Sequence, residues 1–402
     1  MARLLFHGGL VLDGTGAAPA EADVVVEGDR IVDVGVGLDG DEVVDTTGLT
    51  VLPGLFDCHT HVTMSGELDP MRRSLKPFST KYFEAVDNLR RTLDIGVTTV
   101  REAGGADLGV KTAVETGMVA GPHMQISITM LSQTGGHADS HLPSGACLRS
   151  YIAYPGNPSP IVDGPDEMRL RVRELIREGA DVIKVATSGG VLSPRDDPKH
   201  GHFRSDELDV LVAEASAAGL FVMAHAQATD GIANAVRAGI RSIEHGIYLD
   251  DPTVEMMLGR GTWLVPTLLA PASVLAAADR GVNVSEWALR KTHEVIAVHK
   301  ESFRQAVAAG VKVAMGTDSG VGPHGHNLEE LELMVDNSDM KPIDAWVATT
   351  SSAAALLGVA DDRGSIEPGK RADLALLSGD PENLHDLASR ITGVWKDGVR
   401  HK

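Results

Sequence analysis

Short apolar runs with strand character alternate with helical patterns rich in Ala, Leu and Glu between Gly54 and about Arg363. The strand-like runs lie at residues 52–61, 97–103, 123–132, 181–188, 220–226, 241–245, 262–268 and 311–318. Such an alternation is typical of parallel sheets that are covered by helices. Eight strands over about 310 residues predict an α/β fold of the (β/α)8 TIM-barrel type, whose functional residues lie at the carboxyl ends of its strands.

The two ends of the chain have a different pattern. Residues 1–53 alternate β-rich runs with turn signals, and the sequence EGDR at 27–30 is typical of a tight hairpin. Residues 364–402 return to β character in runs that are too short to fold alone. We therefore expect residues 1–53 and 364–402 to form one small β-sandwich domain, and residues 54–363 to form the barrel domain.

His59 and His61 close the first strand-like run of the central segment. The chain has 16 histidines in 402 residues, so about one His-x-His match is expected by chance and the pattern needs structural context. Residues two apart on a strand face the same side, so both imidazoles can enter one site. The further matches at 200–202 and 324–326 lie in Pro- and Gly-rich stretches, which favour solvated loops over metal ligands.

Lys184 lies inside an apolar run, between Ile183 and Val185. A lysine in such a place is costly unless it is functional, is paired, or extends its ammonium group to water along apolar surface. An ammonium group cannot bind a metal, but a deprotonated amine can react with CO2 to form a carbamate anion that bridges two cations. Burial lowers the pKa of a lysine and so supplies the neutral amine. Both the snorkelling lysine and the carboxylated lysine remain open at this point.

His225, His245 and Asp318 end three later strand-like runs, LFVMAHA, RSIEHG and VKVAMGTDS. Isolated core histidines are commoner than ligands, but a barrel brings the ends of its strands to one face. Imidazoles and carboxylates suit Zn²⁺ or a similar divalent ion. The sequence therefore predicts a metal centre with these ligands: His59, His61, Lys184, His225, His245 and Asp318.

The motifs PGLFDCHTH (53–61), IKV (183–185) and GTDSG (316–320) resemble the metal-binding motifs of the amidohydrolase superfamily. Further segments resemble its Xaa-Pro dipeptidase (prolidase-like) and imidazolonepropionase-related branch: TGGHAD (134–139), IKVATSGGVLSP (183–194), IEHG (243–246) and MGTDSGVGPHG (315–325). The resemblance covers essentially the whole chain. It implies two divalent metal ions, with Zn²⁺ as the expected metal, a Lys184 that is carboxylated by CO2, and a homo-oligomer.

Asp318 and His137 have expected roles in catalysis or substrate binding. A pair of divalent ions can lower the pKa of water, so that a metal-bound hydroxide attacks a polarised carbonyl group. Asp318 would then take the proton of the water and pass it to the leaving amine, unless it is a plain ligand. His137 would contact the carbonyl oxygen or a carboxylate of the substrate, unless it is an exposed loop histidine.

Gln227 follows His225 by two residues, at the position where the peptidases of the resembled branch carry a substrate-holding tyrosine. On a continuing strand this spacing keeps Gln227 on the face of His225, in the mouth of the site. A glutamine offers an amide donor and acceptor instead of a phenol, so the dipeptide specificity of the branch is in question. The alternative is a loop residue that is turned outward.

The predicted function is hydrolysis of a peptide or amide C–N bond in a small substrate, such as an Xaa-Pro dipeptide or an N-acyl amino acid. Hydrolysis of a lactone or ester, a carbamate or urea, or a phosphotriester at the same centre is the alternative, because carbonyl and phosphoryl centres use the same metal ligands. A non-catalytic scaffold is disfavoured, since all six predicted ligands are present.

Composition excludes other classes of partner. The formal net charge of −20 disfavours binding to nucleic acid or to an anionic membrane surface. No apolar run approaches the roughly 18 residues of a membrane span, and no targeting segment is evident. The two cysteines, Cys58 and Cys147, give no disulfide framework and fit a reducing compartment. We expect a cytoplasmic enzyme that acts on a small molecule.

Overall fold

The computed structural model describes residues 2–139, 141–142, 144–145 and 153–402. The strands, in chain order, are β1 Arg3–His7, β2 Leu10–Val11, β3 Ala20–Glu21, β4 Asp23–Glu27, β5 Arg30–Gly35, β6 Glu42–Asp45, β7 Leu49–Pro53, β8 Leu55–Thr60, β9 Val97–Glu102, β10 His123–Ile126, β11 Met130–Leu131, β12 Val182–Ala186, β13 Phe221–Ala226, β14 Ser242–His245, β15 Trp263–Val265, β16 Lys312–Val313, β17 Leu374–Ser378, β18 Ile391–Lys396 and β19 Val399–Arg400.

The helices are α1 Pro70–Leu75, α2 Thr80–Asp94, α3 Leu108–Glu115, α4 Pro165–Arg177, α5 Ser205–Ala217, α6 Thr229–Ala238, α7 Asp251–Arg260, α8 Leu269–Asp279, α9 Glu286–Ala309, α10 Glu329–Asp336, α11 Pro342–Ala348, α12 Ser351–Leu357 and α13 Leu387–Arg390. Among the described residues, no helix is both long enough and apolar enough to cross a membrane. Cys58 is buried, and Cys147 lies outside the described residues.

The central segment forms parallel sheets. Strands β8, β9 and β10 pair in parallel in one sheet, and β11 to β16 pair in parallel, in chain order, in a second. Every residue of β8, β9 and β12 is buried, as expected for parallel strands that are covered on both faces. Each of the eight predicted runs contains an observed strand, so the prediction of an α/β chain with parallel sheets is confirmed.

Strands from both ends of the chain share a sheet. β7 pairs antiparallel with β17 and parallel with β2, in a six-stranded sheet of order β19-β18-β17-β7-β2-β3. A four-stranded sheet of order β5-β4-β1-β6 contains the predicted hairpin, in which Glu27 is opposite Arg30. The two sheets contribute to one apolar cluster, where the rings of Phe6 and Trp395 meet edge to face at 4.9 Å.

Backbone hydrogen bonds join β8 to the segment that follows β16. Cys58 N donates to Met315 O at 2.9 Å, and Asp318 N donates to His59 O at 2.7 Å. His61 N donates to Ser319 O, also at 2.7 Å. These bonds place the first and the last strand-like runs side by side, so residues more than 250 positions apart in sequence lie in contact.

Each of the His-x-His matches at 200–202 and 324–326 has one exposed histidine, His200 or His326, and one buried histidine. His202 is 6% exposed and His324 is 2% exposed. His324 Nε2 lies 3.2 Å from His61 O and 3.0 Å from Met64 O, so its ring binds the backbone beneath the predicted centre. The expectation of exposure holds for His200 and His326 but was wrong for His202 and His324, because Pro and Gly content does not show what packs over a loop.

Candidate active site

All the residues that the sequence predicts for the site line a single cavity at the carboxyl ends of the parallel strands: His59, His61, His137, Lys184, His225, Gln227, His245 and Asp318. Each is carried by a strand or by the segment directly after one. The strand register explains part of this convergence, since Lys184 pairs with Met223 and His225 pairs with Glu244 on neighbouring strands.

Asp318 lies between His59, in β8, and His61, which directly follows β8. Its Oδ1 is 3.2 Å from His61 Nε2 and 3.6 Å from His59 Nε2. Burial alone would raise the pKa of Asp318, but the two imidazoles hold it below its ordinary value. In turn, burial would lower the pKa of His61, and its hydrogen bond to Asp318 raises it. The carboxylate is therefore the ionised form that a metal ligand requires.

His225 and His245 continue the ring of imidazoles. The centroid of His245 lies 5.1 Å from that of His59 and 4.7 Å from that of His225. Burial, together with the neighbouring imidazoles and Lys184, holds the pKa of His59, His225 and His245 well below the usual range. A lowered pKa favours the neutral imidazole, which is the form that binds a metal.

A contact to the protein orients each of the four rings. His59 Nδ1 lies 2.8 Å from Glu244 Oε2, and His61 Nδ1 lies 2.7 Å from Gly104 O. His245 Nδ1 lies 2.6 Å from the hydroxyl of Thr267. His225 Nε2 lies 3.1 Å from Gly189 O. Such second contacts fix the tautomer of a ligating histidine and leave its other nitrogen for the ion. One ligand atom from each of His59, His245 and Asp318 lies within 4.8 Å of the other two.

Lys184 is 1% exposed, and its Nζ has no hydrogen-bond partner among the described residues. Burial lowers the pKa of Lys184 to about 8, although the carboxylates of Glu244 and Asp318 act in the opposite direction. A snorkelling lysine would reach water, and this one does not. The lowered pKa enlarges the fraction of the neutral, nucleophilic amine relative to an ordinary lysine.

The backbone is strained at the same place. His245, Thr267 and Asp318 adopt left-handed conformations, with φ of 73°, 54° and 58°. A residue other than glycine in a sparsely populated region costs about 1–3 kcal/mol and persists when its surroundings hold it there. The left-handed backbone at His245 and Asp318 turns their side chains into the cavity, whereas an extended strand would point them elsewhere.

Sequence reasoning missed the buried pair that supports His59. Glu244 accepts hydrogen bonds from Arg101 Nη2 at 2.8 Å and from the Ser242 hydroxyl at 2.6 Å, while its other oxygen meets His59. Arg101 also donates to Cys58 O at 2.7 Å, so it connects β8 to β14, the strand of Glu244. The signal in the sequence was a charged residue in each of two apolar runs, Arg101 in VTTVRE and Glu244 in SIEHG. A charged side chain that is buried needs a partner.

A second buried carboxylate supports the segment of Asp318. Asp57 accepts hydrogen bonds from His59 N at 3.0 Å, from Thr317 N at 3.1 Å and from the side chain of Asn327 at 2.7 Å. Burial raises the pKa of Asp57 to about 6, and these donors oppose that rise. Asp57 thus links the backbone of His59 to that of Thr317, the residue before Asp318.

His137 lies on the wall of the cavity and is not the exposed loop histidine of the alternative interpretation. Its ring stacks on His225, with centroids 4.0 Å apart and planes 14° apart. Its Nδ1 lies 2.9 Å from Ser193 Oγ and 3.1 Å from Asp196 Oδ2.

Gln227 is 5% exposed, and its Oε1 lacks a partner in the described part of the chain. Its backbone N donates to the hydroxyl of Ser188 at 2.7 Å, which ties the segment after β13 to the segment after β12. The outward-facing alternative does not hold, because Gln227 lines the cavity.

The remaining wall of the cavity is mostly apolar. It is formed by Met64, Met130, Val191, Leu192, Pro194, Ile247, Ala270, Pro271, Val274, Val295 and Val321. Arg73 and Asp139 add a cationic and an anionic side chain to this wall. An organic molecule with an apolar group and a charged group is complementary to this lining.

A second His/Asp group lies away from this cavity. His123 Nε2 is 3.3 Å from Asp373 Oδ2 and 3.5 Å from Asp397 Oδ1. Arg371 donates to the same oxygen of Asp397 and also pairs with Asp362. We interpret this group as part of an ion-pair network, because the guanidinium group of Arg371 already pairs with one of its two carboxylates, Asp397.

Comparison with known proteins decides the family. Residues 50–402 match the family model described as "Amidohydrolase family". The chain belongs to the amidohydrolase family. Ochratoxinase from Aspergillus niger is 33% identical over 99% of this chain and 86% of its own length. Imidazolonepropionase from Streptomyces griseus is 28% identical over 94% of this chain and 92% of its own length.

Among solved structures, a Xaa-Pro dipeptidase with bound methionine in its active site superposes with a TM-score of 0.92 and 32% identity. The two chains cover each other over 100% of both lengths. The resemblance to the prolidase-like and imidazolonepropionase-related branch of the amidohydrolases is confirmed. The protein is a hydrolase of this superfamily.

Proposed function

We propose that this amidohydrolase cleaves the peptide or amide C–N bond of a small substrate, such as an Xaa-Pro dipeptide or an N-acyl amino acid, in a metal-dependent reaction. The observation that carries the proposal is the convergence of the predicted ligands on one cavity, with Lys184 buried and unpaired at its base. A carboxylate and neutral imidazoles around such an amine form the donor set of a two-ion centre.

The residues fit two divalent ions, with Zn²⁺ as the proposed metal. The ligands would be His59, His61, His225, His245, Asp318 and a Lys184 carboxylated by CO2. The unpartnered Nζ of Lys184 supports this assignment, because a buried polar atom without a partner is costly and a carbamate would remove that cost. When bound, two divalent ions polarise a carbonyl group and lower the pKa of water.

The chain's own residues account for the proton transfers. Asp318 is held ionised beside His59 and His61, so it can accept a proton from the attacking water. It can then deliver this proton to the nitrogen of the leaving amine, which departs as a neutral group. His137, which lines the same cavity, is in place to contact the carbonyl oxygen or a carboxylate of the substrate.

The lining of the cavity and the names of the relatives support a small amphiphilic substrate. The apolar wall suits a hydrophobic side chain or acyl group, and Arg73 suits a carboxylate. The unpartnered Oε1 of Gln227 would accept a hydrogen bond from the substrate. Relatives of the same length include a Xaa-Pro dipeptidase, which acts on molecules of this class.

We further propose that the two parallel sheets form one (β/α)8 barrel, residues 54–363, with residues 1–53 and 364–402 as a β-sandwich domain. The backbone bonds between β8 and the segment after β16 support closure of the barrel. The apolar cluster shared by the two antiparallel sheets supports the sandwich.

A substrate panel with metal analysis tests the function. Protein supplied with zinc and bicarbonate should hydrolyse Xaa-Pro dipeptides or N-acyl amino acids, carry close to two divalent ions per chain and lose activity on chelation. Lactones, carbamates, phenylureas and phosphotriesters in the same panel test other bond types. Asp318→Asn should abolish turnover, whereas Asp361→Asn, at an exposed aspartate, should not. Full activity in metal-free protein, or cleavage confined to phosphotriesters, would contradict the proposal.

A further inference from the structure

Lys291 is a buried lysine that the proposed reaction does not use. It lies on α9 and is 4% exposed. Its Nζ donates to Gly190 O and Ser193 O at 2.9 Å each and to Asp196 O at 2.5 Å, and it lies 3.3 Å from Asp196 Oδ1. A buried ammonium group needs such a set of acceptors, and here all of them come from one loop. Lys291 therefore fixes the loop of residues 190–196 against α9.

The carboxylate of Asp196 passes this constraint to His137. Asp196 Oδ1 receives the hydroxyl of Ser193 and the ammonium group of Lys291. Its Oδ2 accepts from Gly190 N at 2.9 Å and lies 3.1 Å from His137 Nδ1. Since a carboxylate can only accept hydrogen bonds, His137 must carry a proton on Nδ1. The remaining ring nitrogen, Nε2, is then the atom available to a substrate.

Packing fixes the plane of the His137 ring. One face stacks on His225 at 4.0 Å. A Cβ atom added to Gly190 would lie 2.2 Å from Cε1 of His137, closer than any non-bonded contact allows. The backbone at Gly190 therefore touches the ring, and a larger residue there would displace it.

We propose that Lys291 and Asp196 are positioning residues, which hold the His137 ring in one direction with its Nδ1 proton on Asp196, so that Nε2 meets the substrate and, when it is protonated as well, donates to the carbonyl or carboxylate oxygen. The role given to His137 rests on the proposed hydrolase function. The contacts that hold its ring do not, because they occur among residues of the chain itself.

A double-mutant cycle in the metal-loaded enzyme separates positioning from a direct role. Asp196→Asn and His137→Asn should each lower kcat/KM by about 10- to 100-fold, the range expected for a lost supporting contact. The double variant should be no slower than His137→Asn alone, since residues that act through one another are not additive. Metal content should stay near that of the parent, and melting curves should show that each variant is folded at the assay temperature, although loss of the carboxylate beside buried Lys291 lowers the melting temperature. Additive losses, or a parental rate in Asp196→Asn, would overturn the inference.

Two further variants have matched controls. Lys291→Met should reduce kcat/KM as Asp196→Asn does, while Lys300→Met, at an exposed lysine of the same helix, should not. Gly190→Ala should displace the ring and reduce the rate, while Gly259→Ala, where an added Cβ meets nothing within 4 Å, should leave it unchanged. Equal rates within each matched pair would contradict the inference.

A spectroscopic measurement keeps this test independent of the substrate. In ¹⁵N-labelled protein, the His137 signals, identified by their loss in His137→Asn, should show a proton on Nδ1, and Asp196→Ala should change this tautomer. If the parent protein hydrolyses nothing in the panel, the proposed function fails while the tautomer result still decides the positioning role. An unprotonated Nδ1 in the parent protein would reject the inference even if the enzyme is active.

Discussion

The imidazole of His59 and the carboxylate of Glu244 lie 2.8 Å apart, although 185 residues separate them in the chain. The second oxygen of Glu244 is held by Arg101 and Ser242, so the carboxylate cannot turn away from the ring. This arrangement fixes the tautomer of His59 and orients its Nε2 towards Asp318.

Glu244→Gln should therefore weaken metal binding, and it should also lower the melting temperature, because buried Arg101 loses its anionic partner. An amide cannot accept hydrogen bonds at both positions with the strength of a carboxylate, and loss of such a supporting contact typically costs 10- to 100-fold in metal affinity or activity. Metal titration with melting curves would measure this effect. Glu255→Gln, at an exposed glutamate of α7, is the matched control. Equal metal affinities in the two variants would show that Glu244 does not act through His59.

Lys184→Ala should lose much of the metal and nearly all the activity, because the variant cannot form the carbamate bridge. Short carboxylic acids should partly restore turnover by supplying the missing anion. Lys184→Arg should not restore it, since a guanidinium group forms no carbamate and stays charged. Metal analysis and rates with and without bicarbonate check these outcomes. An arginine variant with the metal content and rate of the parent would reject the bridge.

Gln227→Tyr and Gln227→Ala should change selectivity while leaving the metal content unchanged. Loss of a hydrogen bond to a charged substrate group costs about 1.5–3 kcal/mol, which corresponds to roughly 10- to 100-fold in kcat/KM. We expect rates to redistribute between dipeptides and N-acyl amino acids. Gln305→Ala, at an exposed glutamine of α9, controls for the loss of an amide. Unchanged rates across the panel in both Gln227 variants would exclude a substrate contact.

Acid should destabilise the protein in part through His202. Burial lowers the pKa of His202 to about 4, below the ordinary value of 6.5. Between these two values the unfolded chain binds the proton and the folded protein does not, so stability falls as the pH drops from about 6.5 to 4. The full loss at this site is about 3 kcal/mol.

His202→Gln removes this titration, so its melting temperature should fall less than that of the parent between pH 7 and pH 4.5. His293→Gln, at an exposed histidine of α9, should follow the parent. Identical pH dependence in all three proteins would show that His202 does not contribute.

The positions of the predicted ligands follow from sequence because two local rules suffice. Apolar runs locate the strands, and the residue at the carboxyl end of each parallel strand must face a common edge. His225, next to last in β13, obeys both rules, whereas Lys184 is the central residue of β12; the structure places both at one cavity. No long-range information was needed beyond the expectation that the sheets are parallel.

The supporting contacts could not be predicted in the same way. Arg101 meets Glu244 across 143 residues, and Lys291 meets Asp196 across 95 residues. Nothing local distinguishes Asp196 from a solvated loop aspartate in SPRDDP, or Lys291 from a surface lysine on a helix. Their burial depends on which elements pack together in the complete fold. The left-handed backbone at Asp318 is likewise a tertiary effect.

The pairing of β7 with β17 has a consequence for synthesis of the chain. More than 300 residues separate Pro53 from Leu374, which are partners in this register. At about 5–20 residues per second, the ribosome needs roughly 15–65 s to produce β17 after β7 has been made. During that interval the edge of β7 opposite its partner β2 is open, so the nascent chain depends on that edge staying unpaired until its own last strands arrive.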